Sequence, residues 1–152
     1  MGMNQQDIII NINLQFIREI KNPIVDVLID NKIVDRVIGL EEQTHKCVCS
    51  TLNHGHHTIA MEVNNIEYHE EQEMAVIIDS IKFQYIDFDF KYCSFYTPVY
   101  PEEWKNEQFA EGVTWPDTIH GNYMGWNGRW FLDFETPIYS WIHQKTNQGW
   151  LI

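Results

Sequence analysis

DIIININLQF, residues 7–16, places Ile8, Ile10, Ile12, Leu14 and Phe16 on one parity and Asn11, Asn13 and Gln15 on the other. Strand side chains alternate between faces with period two, so this stretch reads as a β-strand with one face in a core and one toward solvent. The same reading extends down the chain. Asn22-Pro23 breaks the first strand, and residues 24–29 then pair with 33–40 through Asp30-Asn31-Lys32, because Asp and Asn tolerate the left-handed backbone of tight hairpins. Residues 46–52 and 57–63 form further strands around an Asn53-His54-Gly55 turn. Residues 64–73 are an acid-rich loop, and strand returns over 74–90 with a break near Gln84.

Many short strands separated by turn signals imply an all-β, antiparallel, jelly-roll-like sandwich. No helix is expected before residue 100. Pro101 to Ala110 then reads as a short helix, with Pro and two acids at its start and Gly112 beyond its end. Asn127-Gly128, between Trp126 and Trp130, reads as a hairpin turn. Residues 129–136 continue as a strand, and 138–142 as a strand or short helical turn before Gly149-Trp150. The chain is expected to be one domain, 1–152, with a sandwich core over 7–95 and an aromatic C-terminal extension over 96–152, where all six tryptophans fall.

Charge excludes one class of partner. A net charge of -12 and a pI near 4.8 repel a phosphate backbone, and the ten basic residues are scattered, so no nucleic-acid partner is expected. No segment approaches the length of a membrane span and the N-terminus lacks a signal-peptide pattern, so a soluble, cytoplasmic product is expected. Three cysteines, two of them as Cys47-Val48-Cys49, point to free thiols in a reducing compartment, with His45 the only nearby partner for a metal there.

DVLIDNKIVDRV (26–37), LNHGHHTIAMEVNN (52–65) and VIIDSIKF (76–83) together resemble the calcium-dependent xylan-binding class of carbohydrate-binding modules, which are jelly-roll sandwiches. The order of strands and motifs agrees. That resemblance implies a glycan partner and calcium as a cofactor. The loop departs from it, with Asn64, Asn65, Glu67, Glu70, Glu71 and Glu73 where the modules carry Asp, so it supports the fold more than the metal. HGNYMGWNGRWFLDFETPIYSW (120–141) looks like segments of small structural proteins of marine tailed phages, which implies a phage-encoded protein that assembles into a virion.

Three sets of residues carry candidate chemistry. Trp126, Asn127, Arg129 and Trp130, with Trp104 and Tyr123, combine aromatic faces for sugar C–H surfaces with hydrogen-bonding groups for hydroxyls. Buried packing of the same aromatics is the competing structural reading. His54, His56 and Glu62 are similar to the first metal motif of cupins, with His120 as a distant fourth ligand, against which stands a simple polar turn. Asp79, Asp87 and Asp89 read as solvated acids on an outer face. No nucleophile elbow or phosphate loop is present. The expectation is therefore a non-catalytic binding or structural module engaging a glycan or a virion protein. A cupin-like metal enzyme and a homo-oligomeric assembly protein are the alternatives.

Overall fold

The computed structural model describes residues 4–67, 69 and 71–146. Two antiparallel sheets pack face to face. One orders its strands β4 (Gln43–Asn53), β1 (Gln5–Arg18), β6 (Met74–Phe83) and β7 (Ile86–Asp87), with β9 (Tyr123–Met124) also on β6; the other orders them β3 (Lys32–Ile38), β2 (Ile24–Ile29), β5 (Gly55–Asn64), β10 (Gly128–Thr136) and β8 (Ser94–Pro98). β1 (Gln5–Arg18) is the spine of the first sheet, between β4 (Gln43–Asn53) and β6 (Met74–Phe83). Its Ile8, Ile10, Ile12, Leu14 and Phe16 are all buried, as the opening alternation requires.

β2 (Ile24–Ile29) and β3 (Lys32–Ile38) form the expected hairpin, with Asp30 and Asn31 at φ 51° and 67°. In β6 the buried set changes parity, from Val76 and Ile78 to Ile81 and Phe83. The pairing of β1 with β6 slips there, from Asn13 opposite Ser80 to Leu14 opposite Ile78, so Asp79 is an extra, exposed residue of a bulge. A bulge inserts one residue and so moves the following side chains to the other face. Gln84 and Tyr85, both at positive φ, turn the chain into β7 (Ile86–Asp87).

The division at residue 96 is corrected. β8 (Ser94–Pro98) and β10 (Gly128–Thr136) belong to the second sheet, and β10 lies between β5 (Gly55–Asn64) and β8. The C-terminal third supplies an interior strand, because Trp130, Leu132 and Phe134 present a fully buried stripe to the core. The Asn127-Gly128 hairpin is also corrected. β9 (Tyr123–Met124) pairs with β6 in one sheet while β10 begins in the other, so the dipeptide carries the chain between sheets. Its glycine answers a different need: a Cβ at Gly128 would lie 2.4 Å from the Thr97 carbonyl oxygen of β8.

The short helix α1 (Glu102–Ala110) forms as expected and buries no residue. α2 (Ile138–Thr146) closes one end of the core, with Trp141 stacked on Phe88 at a ring separation of 4.6 Å and edge-on to Phe83 at 5.5 Å. Gln6 Oε1 accepts the Ile138 amide at 2.8 Å and ties α2 to β1. β4 and β3, one edge strand of each sheet, are linked by Lys46 on the inner face of β4, whose Nζ lies 3.8 Å from Asp35. Trp150 lies outside the described residues.

A chain cut after Tyr100 lacks β10 and exposes the flanks of β5 and β8. It is expected to show no cooperative thermal transition by circular dichroism; a sharp transition would mean that the first hundred residues fold alone.

Candidate functional site

Asn127, Tyr96 and Gly125 assemble one end of the sandwich. Asn127 clamps the acid-rich loop, its Oδ1 accepting the Ile66 amide at 2.8 Å and its Nδ2 donating to the Ile66 carbonyl at 3.3 Å. The buried Tyr96 hydroxyl donates to the Trp126 carbonyl and accepts the Trp126 amide at 3.1 Å, so the Trp126 backbone is held from both sides. Burial raises the Tyr96 phenol above its ordinary titration range and keeps it a donor. Gly125 lets the Tyr123 ring fold back, since a Cβ there would meet Tyr123 Cε1 at 2.9 Å.

These elements frame a crevice of about 200 Å³ lined by Glu67, His69, Gln72, Glu73, Met74, Tyr123, Gly125 and Trp126. The Tyr123 hydroxyl donates to Glu73, and burial, then that carboxylate, raises the phenol's titration. Lys21 donates to Glu67 at 2.5 Å and His69 lies 3.4 Å from its other oxygen. The hydrogen bond from Lys21, then that from His69, holds the Glu67 carboxyl below the usual carboxylate range. Beside the crevice, Trp126 meets Trp104 at 4.8 Å, Trp104 stacks on Tyr100 at 5.4 Å, and Trp115 lies 5.4 Å from Trp104.

The sequence-predicted residues divide. Trp126 and Tyr123 line the crevice, and Trp104 joins Trp126 in the adjoining ring cluster. Asn127 spends its amide on the loop clamp. Arg129 donates to Glu62 at 3.0 Å and Asn31 at 2.6 Å on the outer face of the second sheet, where it borders a separate depression of about 480 Å³ with Asn64, Thr97 and Val99. Trp130 is corrected: it is fully buried and edge-on to Phe90 at 5.9 Å, so it presents no face to a ligand.

The His54, His56 and Glu62 metal set is corrected as well. His56 and Glu62 are six residues apart on one strand, roughly 20 Å at ~3.3 Å per residue, too far for a shared ion. His56 lies 3.5 Å from Asp133 and Glu62 is the partner of Arg129. His120, 2.8 Å from the Ser94 carbonyl, is on another part of the fold. The neighbouring His57 is structural, with Nδ1 2.6 Å from Asp30 and Nε2 2.6 Å from the Asn53 carbonyl. Among the described residues no three His, Cys, Asp or Glu side chains converge as metal ligands. Two of the loop carboxylates are engaged otherwise, Glu67 by Lys21 and His69 and Glu73 by Tyr123, and among the described residues no oxygen cage for calcium forms.

Sequence reasoning missed Tyr100, Trp115 and the place of Glu67, His69, Gln72 and Glu73 in the crevice lining. Aromatic type was a usable signal for the first two. The others reach Tyr123 and Trp126 only through the return of the β5–β6 loop.

No family model and no curated relative matches the sequence. Two solved structures are similar. The carbohydrate-binding module vCBM60 in complex with galactobiose superposes with a TM-score of 0.57 at 12% identity, over 84% of this chain and 97% of that one. A selenomethionine form of vCBM60, from work on circular permutation between two families of calcium-dependent carbohydrate-binding modules, gives 0.57 at 13% identity over 82% and 89%. At these identities the likeness is one of fold: the chain has the sandwich architecture of a carbohydrate-binding module.

Tyr96→Phe leaves the Trp126 amide and carbonyl without their shared partner and is expected to cost about 1–3 kcal/mol in urea unfolding; an unchanged midpoint would remove the clamp. Because Lys21 holds the Glu67 carboxyl low, the pair contributes above the ordinary Glu range and its contribution is lost as pH falls through the folded value. Lys21→Ala should therefore move the Glu67 titration upward by carboxyl NMR, and an unmoved titration excludes the ion pair as the cause.

Proposed function

We propose that this protein is a non-catalytic glycan-binding module whose ligand lies in the crevice beside Trp126. The observation that carries the reading is the meeting of two aromatic side chains, Tyr123 and Trp126, with Glu67, His69, Gln72 and Glu73 in one small depression. Apolar C–H faces of a pyranose pack on indole and phenol rings, and carboxylate and amide groups order its hydroxyls. The fold likeness to a module solved with galactobiose supports the ligand class. Glu67 and Glu73, each with a hydrogen-bond donor of its own, act in this reading as acceptors and not as a glycosidase pair.

A protein partner is the second reading, whether a virion component or another copy of this chain. It is favoured by the exposure of Phe109 and Trp115 at 73% and 43% beside the ring cluster. Light scattering that finds only monomer at high concentration counts against self-assembly.

Tryptophan fluorescence titrated with galactobiose and with xylo-oligosaccharides, each with and without calcium, is expected to give a saturable change. Trp126→Ala should weaken it about 10-fold or more, the loss of one aromatic contact. No response to any oligosaccharide in either condition removes the glycan reading.

A further inference from the structure

Cys47 and Cys49 stand on the outer face of β4, an outermost strand of its sheet, opposite Asn11 and Ile9 of β1. Period two puts both thiols on the same side of the strand. Both residues are exposed, and their sulfurs are 4.0 Å apart. Two thiolates on one tetrahedral ion at ~2.3 Å bonds are ~3.8 Å apart, so the pair needs only a few tenths of an ångström of side-chain adjustment to chelate. We propose that Cys47 and Cys49 form a dithiol site for a thiophilic metal ion of the zinc and cadmium class, with the remaining coordination positions open to water or a small exogenous ligand.

The neighbouring groups fit that class. His45, two residues before Cys47 on the same face, is held 2.9 Å from Asn11 Oδ1, and Asp7, which shares a surface depression with Cys49, accepts a hydrogen bond from Thr51 at 2.6 Å, so the paired donors are the two sulfurs, which select soft ions over calcium or magnesium. Metals bind the thiolate form of cysteine. Binding forms two sulfur–metal bonds and releases two protons to solvent, and it strengthens as pH rises. The site is remote from the crevice in sequence and lining residues, and stands or falls independently of the glycan reading.

The test is titration of the full chain, reduced and metal-free, with cadmium, following the ultraviolet thiolate-to-metal charge-transfer band and proton release. The expected result is one ion per chain with about two protons released. Cys47→Ser and Cys49→Ser should each weaken binding by about 100-fold or more, the loss of the second tethered ligand, while Cys93→Ser leaves it unchanged. Intrinsic tryptophan fluorescence checks that each variant is folded. Equal affinity in either single variant, or loss of the band in Cys93→Ser, overturns the site. Rapid closure of a Cys47–Cys49 disulfide in air that blocks the band, with no ion bound by the reduced chain, also overturns it.

Discussion

The ladder between β10 and β5 is the constraint on which the second sheet depends. Residues 128–136 enter the sheet after β5 and β8 have been laid down along the chain, and they pair with both. Without them, β8 loses the strand that joins it to that sheet and the β2–β3 hairpin ends at β5. The ladder also sets the core, because its register places Trp130, Leu132 and Phe134 inside beside Met61, Ile59 and the His57 ring. Such burial is worth about 3–5 kcal/mol for Trp130 alone. The non-local pairing further predisposes the chain to slow folding, since the loop from β5 to β10 must close before the contacts reward it.

The same ladder positions the candidate site. Asn127, one residue before β10, clamps Ile66, and Tyr96 of the adjacent β8 holds Trp126. The β5–β6 loop and the entry to β10 are thus held through two side chains, Asn127 and Tyr96. Rigid backbone beneath an aromatic platform lowers the conformational cost of binding.

Local alternation made most of the strands legible: residues 7–16, the Asp30-Asn31 hairpin and the break at Gln84 each carry their cause within a few residues. What was not legible depends on partners distant along the chain. Nothing in Gly125-Trp126-Asn127-Gly128 distinguishes a hairpin from a crossing between sheets; the distinction lies in Thr97 and Val76, which take up the strands on either side. Trp130 carries the same composition cue as Trp126, yet one faces the core and the other the crevice. The histidines followed the same logic in reverse, since His54, His56 and Glu62 are close in sequence and drawn apart by an extended backbone.

The link from Lys46 to Asp35 has a consequence for how copies of the protein meet. β4 presents eleven residues of strand with one flank unpaired, a surface on which another chain can add itself. An incoming apolar strand would desolvate the part-exposed ammonium of Lys46, which lies on the core side of that strand 3.8 Å from Asp35. A charged lysine on an edge strand is the kind of residue that disfavours the addition of another apolar strand, and it stands on the side of β4 away from the two thiols.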